Sequence, residues 1–269
     1  MSKNAEPLLL SIIVPVYNEA LSLEQVVEYL MASRCLIARE WIFVDDCSTD
    51  GSFEILQALS SRFSFRLLKH DQNEGKGAAL RRGIAEAKGQ FILVQDADFE
   101  YDPNDTPNVV QPLIDGRADV VYGSRFRQSS VTQVHRTYHY FINRFLTLLS
   151  NLFSGIYLTD METCYKAFRS DLLQNMTLTS NRFGIEVELT AYLAKVRARI
   201  VEVPISYYPR TRLQGKKINW KDGFAALRHL VYFNWWVDFD AAYNTSRLPE
   251  TYHPKFNEVK KPVIGSNDS

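Results

Sequence analysis

The sequence is poor in the features that mark disulfide-linked, zinc-binding or nucleic-acid-binding proteins. Its three cysteines, Cys35, Cys47 and Cys164, match no zinc-ligand spacing, and their odd number gives no complete set of disulfides. The formal net charge is zero, with 31 basic and 31 acidic residues, so bulk electrostatics offers no attraction to nucleic acid. We therefore expect a chain that works in a reducing, cytoplasmic compartment and has no nucleic acid as a partner.

Long hydrophobic runs are also missing. The longest candidates, residues 141–158 and 224–237, are interrupted by polar residues such as Arg144 and Arg228, and fall short of the roughly 20 apolar residues that cross a bilayer. Both segments are predicted to be amphipathic helices instead. Residues 1–7 are short and polar, which gives no signal peptide and no expectation of secretion.

Glycine motifs of other nucleotide-binding proteins are absent or incomplete. No G-x-x-x-x-G-K-[ST] loop occurs, and the stretch at residues 75–80 lacks the third glycine of the dinucleotide fingerprint. We predict instead a strand over residues 65–69 and a helix that begins at Gly75. Its glycines should let a ligand approach the amino end of the helix, where backbone N–H groups favour anions. Lys76 is then a candidate phosphate contact, with an ordinary solvated lysine as the alternative.

The sequence does contain an apolar strand that stops at two carboxylates. Residues 91–94 are Phe, Ile, Leu and Val, and Asp96 and Asp98 follow, two residues apart. Because strand side chains alternate between faces, this spacing would place both carboxylates on one side at the carboxyl end of the strand. Two close carboxylates favour a hard divalent cation, Mg²⁺ or Mn²⁺, which takes oxygen ligands and keeps positions for substrate phosphates. A polar strand end that runs into a turn at Asp102 is the simpler alternative.

Two earlier segments repeat this layout. An apolar run over residues 8–14 leads into a polar loop and then into helix-spaced leucines and valines, and residues 41–44 lead into Asp45, Asp46 and another amphipathic pattern. Buried strands that each end in a polar loop, with helices behind them, are typical of an open α/β sheet whose ligand lies at the carboxyl ends of the strands. We predict this α/β fold class, with a mostly parallel central sheet and helices on both faces.

Eight short motifs, taken in order and spacing, give the chain a resemblance to a known family over roughly residues 8–236. They read VPVYNE at 14–19, VDDCSTDG at 44–51, NEGKGAAL at 73–80, QDADFEYDP at 95–103, YGSRF at 122–126, LTDMETCYK at 158–166, RFGIE at 182–186 and GKKINWKDG at 215–223. Together they resemble family 2 glycosyltransferases, the nucleotide-sugar-dependent class that includes dolichol-phosphate mannosyltransferase and bacterial polyprenyl-phosphate glycosyltransferases. The resemblance implies a GT-A-like fold.

The resemblance also implies a reaction and a set of residues for it. The reaction is transfer of a hexosyl or N-acetylhexosaminyl group from a nucleoside diphosphate sugar, GDP-mannose or a UDP-hexose, with inversion at the anomeric carbon. The implied nucleotide-sugar contacts are Pro15, Tyr17, Glu19, Asp46, Lys76 and Asp96. The implied ligands of Mg²⁺ or Mn²⁺ are Asp96, Asp98 and Glu100, although some lipid-phosphate relatives carry glutamine at the Glu100 position. The implied catalytic residues are Asp96, Asp98, Arg125 and Asp160.

Basic residues in the second half indicate an anionic acceptor. Eight Lys or Arg lie between residues 197 and 228, against two acidic residues, and a solvated basic loop is the alternative to a phosphate clamp. By resemblance, the acceptor phosphate is bound by Arg125, Arg136, Arg210, Lys216 and Lys217. A guanidinium suits a phosphate because its fork donates two parallel hydrogen bonds. We therefore predict a polyprenyl phosphate acceptor, undecaprenyl or dolichyl phosphate.

The acceptor decides whether the reaction needs a base. A polyprenyl phosphate is already anionic, with a second phosphate pKa of about 6, whereas a hydroxyl needs a carboxylate to take its proton. Asp160, Glu162, Glu186 and Glu188 all lie in the second half, so a saccharide or other hydroxyl acceptor stays open. A non-catalytic nucleotide-sugar-binding protein is a further alternative, although no expected metal ligand or acceptor arginine is missing.

We predict one domain over residues 1–242, with a nucleotide-sugar half at 8–125 and an acceptor half at 126–242, followed by a polar, poorly ordered tail at 243–269. Without a spanning segment, an enzyme with a lipid acceptor must meet the bilayer from the side, as a peripheral protein on its inner face. The aromatic segment at residues 232–239 has the composition of an interfacial anchor, and the alternative is that its tryptophans pack in the core. A membrane protein as a further partner is left open.

Overall fold

The structure is a computed structural model that describes residues 7–127, 137–182, 184–209 and 220–253. Four of the residues expected to bind the acceptor phosphate, Arg136, Arg210, Lys216 and Lys217, lie outside the described residues. Their role therefore stays a prediction.

Strands and helices alternate along most of the described chain. In order they are β1 (Leu9–Val16), α1 (Leu23–Ala32), β2 (Ala38–Asp45), α2 (Ser52–Leu59), β3 (Arg66–Lys69), α3 (Lys76–Glu86), β4 (Phe91–Val94), α4 (Thr106–Ile114), β5 (Val120–Ser124), α5 (Thr137–Ser154), β6 (Lys166–Arg169), α6 (Ser170–Leu173), α7 (Ile185–Lys195), β7 (Ile200–Pro204), α8 (Trp220–Val231) and α9 (Phe239–Ala242). Short 3₁₀ turns occur at Pro103–Asp105 and Glu250–Tyr252, and a π-helical segment occurs at Tyr232–Trp236.

The strands form one sheet in the order β3-β2-β1-β4-β6-β5-β7. Neighbouring strands are parallel, except that β6 runs antiparallel to both β4 and β5. The expected mostly parallel sheet is confirmed. Since β1, β2 and β4 are parallel neighbours, the loops at their carboxyl ends meet at one edge of the sheet.

Each face of the sheet carries its own hydrophobic core. Ile12 and Val14 of β1 belong to one core, whereas Ile13 between them belongs to the other. Helices α1, α2 and α4 pack on the first face, and α3, α5, α7 and α8 pack on the second. The prediction of helices on both faces is confirmed, because each amphipathic helix buries its apolar stripe against the sheet.

The chain after residue 242 departs from the expected tail. Tyr243, Leu248 and Tyr252 are buried, and the Tyr243 hydroxyl donates a hydrogen bond of 3.0 Å to the carbonyl of Tyr192. The expectation of a poorly ordered tail is therefore wrong for residues 243–253, whose aromatic and leucine side chains complete the core beside α7. Residues 254–269 lie outside the described residues.

Within the described segments, every helix is too short or too polar to cross a bilayer.

Candidate active site

The loop after β4 carries the two aspartates that the sequence singled out. Because β4 ends at Val94, Asp96 and Asp98 lie beyond the strand, and the expected strand alternation does not place them. Asp98 is buried, and its Oδ1 accepts the backbone N–H of Glu100 at 2.8 Å. The loop's own hydrogen bonding therefore fixes Asp98, at the edge where the carboxyl ends of β1, β2 and β4 meet.

Lys76, the first residue of α3, is fixed beside Asp96. Its ammonium nitrogen lies 2.6 Å from Asp96 Oδ1, 2.8 Å from Cys164 Sγ and 3.9 Å from Glu186 Oε1. Burial lowers the pKa of Lys76, but the charges of its neighbours, Asp96 first, outweigh burial and hold that pKa well above its ordinary range. Lys76 is thus a protonated lysine that its acidic neighbours fix in place, rather than a solvated surface lysine.

The three carboxylates expected to bind a metal are not gathered into one cluster. Glu100 Oε2 accepts a hydrogen bond of 3.0 Å from the Tyr207 hydroxyl. Across the described segments, no group of three or more His, Cys, Asp or Glu side chains is arranged to hold a metal ion. Mg²⁺ is often bound by one or two carboxylates together with substrate phosphates. Asp96 and Asp98, as hard oxygen donors on one loop, fit a metal that a diphosphate helps to ligate.

Asp46 holds a loop in place. Its side chain is 3% exposed. Its four partners are His70 Nδ1 at 2.8 Å and the Glu74 N–H at 2.9 Å on Oδ1, and Asn73 Nδ2 at 3.0 Å and the Gly75 N–H at 2.7 Å on Oδ2. Because each oxygen already has two partners, this geometry does not support the expected nucleoside contact of Asp46. We reassign Asp46 to fixing residues 70–75, the segment that delivers Lys76.

Asp45, which the sequence did not single out, differs from Asp46 in that one of its carboxylate oxygens has no hydrogen-bond partner. It is fully buried; its Oδ2 accepts the Ser48 N–H at 3.0 Å, while its Oδ1 is buried without a hydrogen-bond partner. Asp45 pairs in the sheet with Val16 of β1. The expected contacts Pro15, Tyr17 and Glu19 flank that position, and Tyr17 is the most exposed of them. The two adjacent aspartates indicated a binding site in the sequence, but the sequence does not tell which of them already accepts hydrogen bonds from the protein on both oxygens.

The glycines at the start of α3 serve internal packing. The N–H groups of Gly77 and Ala78 donate to the Asn181 carbonyl at 2.8 and 3.3 Å. A side chain at Gly75 or Gly77 would collide with the backbone at residues 180–181. This geometry does not support the expected anion site at this helix end, because the Asn181 carbonyl already accepts the N–H groups of Gly77 and Ala78. The glycines instead let the loop before α7 approach α3.

Arg125 and Asp160 form a buried ion pair. Arg125 Nε and Nη2 each lie 2.7 Å from a different oxygen of Asp160, and the Arg125 backbone N–H donates to the same carboxylate at 3.0 Å. Burial lowers the pKa of Arg125, but the charge of Asp160 outweighs it and holds that pKa well above its ordinary range. The guanidinium edge expected to bind a phosphate is therefore occupied, and Asp160 is a counter-ion rather than a poised base.

Two acidic residues that the sequence left unassigned follow: Glu162 interacts with this pair, and Glu186 interacts with Glu162. Glu162 Oε1 and Glu186 Oε2 are buried without hydrogen-bond partners. Burial, and next the charge of Glu186, raise the pKa of Glu162 to about 7. Burial also raises the pKa of Glu186, against the opposing charges of Lys76 and Lys166. Both glutamates lie within motifs that the sequence identified, but their burial could not be read from those motifs.

Two neighbouring helical segments expose an apolar surface. Phe141, Phe145, Leu148 and Leu152 recur at helical spacing on α5 and are all exposed, while Trp235 and Trp236 are 63% and 68% exposed. We call these six residues the apolar surface. The ring centres of Trp235 and Phe153 of α5 lie 5.0 Å apart, which joins the two segments. The alternative of tryptophans in the core is wrong, because Phe233 is the residue of this segment that is buried there.

Comparison with known sequences identifies relatives along most of the chain. The model of the glycosyl transferase family 2 matches residues 11–177. The chain is 25% identical over 228 residues to a dolichol-phosphate mannosyltransferase of Pyrococcus furiosus, covering 84% of this chain and 64% of that protein. It is 30% identical over 230 residues to a dolichol-phosphate mannosyltransferase of Saccharomyces cerevisiae, covering 77% of this chain and 82% of that protein. The chain thus spans less than two thirds of the length of the archaeal relative.

A similar fold occurs in glucosyl-3-phosphoglycerate synthase of Mycobacterium tuberculosis, solved with Mn²⁺, UDP and glucosyl-3-phosphoglycerate. The TM-score is 0.65, the match covers 84% of this chain and 80% of that one, and the sequence identity is 18%. At this identity the likeness concerns the fold alone. It confirms the GT-A-like fold class that was expected from the sequence.

Proposed function

The chain belongs to glycosyl transferase family 2, and on this premise we propose that it transfers a hexosyl or N-acetylhexosaminyl group from a nucleoside diphosphate sugar to a polyprenyl phosphate. The observation that carries the proposal is the loop after β4, where Asp96 lies 2.6 Å from the Lys76 ammonium with Asp98 two residues on. The carboxylate oxygens of Asp96 and Asp98 can ligate a divalent metal, and the Lys76 ammonium beside them can contact the diphosphate that this metal binds. The two relatives named for dolichol phosphate support the lipid acceptor.

Asp96 and Asp98 are the proposed ligands of Mg²⁺ or Mn²⁺, in keeping with the Mn²⁺ of the solved neighbour. When bound, such a metal stabilises the negative charge that develops on the departing nucleoside diphosphate. Lys76 adds a positive charge at the same place, since Asp96 holds its ammonium there. Glu100, whose Oε2 accepts from Tyr207, is left outside the ligand set.

Asp45 replaces Asp46 as the proposed contact for the nucleobase. A buried carboxylate oxygen without a donor is costly, so the unpartnered Oδ1 of Asp45 favours a ligand that brings an N–H group. Uracil and guanine both carry a ring N–H. Pro15, Tyr17 and Glu19 adjoin Asp45 and are proposed to line the same pocket.

The burial of Asp160 and its pairing with Arg125 favour a phosphate as the acceptor. Because Asp160 is fully buried and paired with Arg125, it is not available to deprotonate a hydroxyl. A polyprenyl phosphate needs no such base, since it is already ionised at neutral pH. Arg125 uses its Nε and one Nη2 proton on Asp160, so its remaining N–H groups are the ones proposed to meet the phosphate.

The apolar surface supports an acceptor that lies in a membrane. Tryptophan and phenylalanine exposed along one face are typical of helices that lie in the bilayer interface. We assign the apolar surface to contact with the membrane, with the protein peripheral to it. Contiguous exposed apolar patches are uncommon on soluble monomeric proteins, and they often mark a surface that contacts a membrane or another protein.

A hydroxyl acceptor is the second candidate, and a specific observation favours it. Glu162 has an unpaired buried oxygen, and its pKa is raised to about 7 by burial and by Glu186. A carboxyl group with a pKa near neutrality is suited to take a proton from a hydroxyl. A non-catalytic sugar-nucleotide-binding protein is disfavoured by the retention of Asp96, Asp98 and Arg125.

The test is a transfer assay with purified protein. UDP- and GDP-sugars carrying a radiolabelled sugar are incubated with Mg²⁺ or Mn²⁺ and either a polyprenyl phosphate or a panel of saccharides. We expect label to enter the organic phase with the polyprenyl phosphate. Label that enters only saccharide products would establish the hydroxyl acceptor, and sugar-nucleotide binding without any transfer would support the non-catalytic alternative.

A further inference from the structure

Glu186 is a buried carboxylate with one engaged oxygen and one unpaired oxygen. Its side chain is 5% exposed. Oε1 lies 3.8 Å from Cys164 Sγ and 3.9 Å from the Lys76 ammonium, whereas Oε2 is buried without a hydrogen-bond partner. Burying a carboxylate oxygen without a hydrogen-bond donor lowers the stability of the fold. An unpaired oxygen at this place therefore suggests that a ligand supplies the missing donor.

The nearby cations are already committed to other partners. Lys76 lies closest to Asp96 and Cys164, Arg125 is paired with Asp160, and the Lys166 ammonium donates to the carbonyls of Met161 and Thr163. Each of these cations lies closer to other acceptors, and among the described residues no group donates a hydrogen bond to Glu162 Oε1 or Glu186 Oε2. An unpaired carboxylate oxygen accepts a hydrogen bond from any donor that reaches it, and sugar hydroxyls are donors of that kind.

We infer that Glu186, with Glu162 beside it, binds hydroxyl groups of the transferred sugar and selects a neutral sugar over a hexuronic acid. This inference rests on the proposed function, which places the donor diphosphate at Asp96. The Lys76 ammonium lies 2.6 Å from Asp96 and 3.9 Å from Glu186, which places Glu186 next to Lys76 and the proposed diphosphate ligand, on the side proposed for the sugar. A hexuronic acid would bring a further carboxylate beside Glu162 and Glu186, and like-charge repulsion disfavours it relative to a neutral sugar.

Glu188 provides a matched control on the same helix. It is fully buried like Glu186, but its two oxygens accept the Thr179 N–H at 2.7 Å, the Thr179 hydroxyl at 2.8 Å and the Ser180 N–H at 2.8 Å. Glu188 is therefore a structural residue. Glu188→Gln should lower the melting temperature and leave the preference among sugars unchanged.

Glu186→Gln should do the opposite, because it removes a buried carboxylate for which the cost of burial outweighs the opposing charges of Lys76 and Lys166. We expect its melting temperature to equal or exceed that of the native chain. The dissociation constant of UDP-glucose or GDP-mannose, measured by calorimetry with Mn²⁺, should rise about tenfold, the loss of one hydrogen bond to a charged group. The dissociation constants of UDP and GDP should change less than about twofold, since they lack the sugar.

Selectivity is read from matched pairs, UDP-glucose with UDP-glucuronic acid and GDP-mannose with GDP-mannuronic acid. The native chain should bind the neutral member of each pair more tightly than the acidic member. Glu186→Gln should reduce this difference between the two dissociation constants. If Glu186→Gln leaves sugar-nucleotide binding unchanged, or weakens UDP or GDP to the same degree, the inference is overturned while the proposed function stands. A native chain that binds none of these nucleotides would overturn the proposed function, and the inference with it.

Discussion

The guanidinium of Arg125 meets the carboxylate of Asp160 through two hydrogen bonds of 2.7 Å, and both side chains are buried. The pair joins the end of β5 to the loop before β6, 35 residues along the chain. The ring of Tyr207 lies 5.1 Å from the guanidinium carbon. Arg125 therefore has a structural role as well as any role toward a phosphate, and a variant at this position must be tested for stability as well as for activity.

Arg125→Ala should strongly destabilise the fold. Removing the guanidinium leaves Asp160 buried without its counter-charge, which typically costs about 3–5 kcal/mol of unfolding free energy. Urea denaturation measures this loss. The control is Arg117→Ala, whose partner Asp115 is in an exposed pair and whose loss should cost no more than about 1 kcal/mol. Equal stability of the two variants would show that the buried pair does not form.

Asp46→Ala should weaken both the fold and nucleotide binding. The change removes an acceptor with four partners in residues 70–75, and each hydrogen bond to a charged group contributes about 1.5–3 kcal/mol, not all of it additive. We expect at least about 2 kcal/mol of lost unfolding free energy. Asp71→Ala, an exposed aspartate in the same segment, is the control and should stay within about 0.5 kcal/mol of native. If Asp46→Ala loses no more unfolding free energy than this control, residues 70–75 are held by contacts other than those of Asp46.

Glu162 should make stability depend on pH. Its pKa rises from an ordinary value of 4.5 to about 7 in the folded chain, through burial first and then the charge of Glu186, against the opposing charges of Lys166 and Arg125. Between those two values the folded chain holds a proton that the unfolded chain has released. The free energy of unfolding therefore falls as pH rises through this window, by up to about 3 kcal/mol.

Urea denaturation of native protein and Glu162→Gln at pH 5 and pH 7 isolates this contribution. Glutamine cannot titrate, so the variant should lose less stability between the two pH values than the native chain does. Glu24→Gln, an exposed change on α1, controls for the loss of a carboxylate in general. Identical pH dependence in native and Glu162→Gln protein would rule out the raised pKa.

The apolar surface should bind membranes. In flotation with vesicles that contain anionic lipid, native protein should move with the vesicles, and Trp235→Ala combined with Trp236→Ala should reduce the bound fraction severalfold. The two rings are more than half exposed, so their removal should leave the circular dichroism spectrum unchanged. Leu21→Ala and Leu36→Ala, which remove exposed apolar side chains from the amino-terminal half, are the controls. Native protein that stays with the soluble fraction would refute the membrane assignment.

The fold was largely predictable because buried strands leave a clear sequence signal. The apolar runs of β1, β2 and β4 are each followed by a polar loop, and parallel strands of this kind are covered on both faces. Strand β6 left no such signal, since only Ala167 and Phe168 of its four residues are apolar. Its place between β4 and β5 is set by tertiary pairing rather than by its own residues.

The site was less predictable, because the state of a charged residue depends on partners that are distant in sequence. Asp45 and Asp46 are adjacent and chemically identical, yet one is saturated by residues 70–75 and the other keeps an unpaired oxygen. Lys76 meets Glu186 only because glycines admit the loop at 180–181 to the start of α3. The sequence could identify the motifs, but not which of their side chains face each other.

The most direct test of metal-dependent transfer to a lipid phosphate is the assay of radiolabel entering the organic phase, run on native protein and on Asp98→Asn. Asparagine keeps the oxygen that accepts the Glu100 N–H, so the loop should persist while one metal ligand is lost. We expect transfer by native protein to need Mg²⁺ or Mn²⁺ and to stop reversibly on chelation, and Asp98→Asn to be reduced by about 100-fold or more. Full activity of Asp98→Asn in excess chelator would contradict the account.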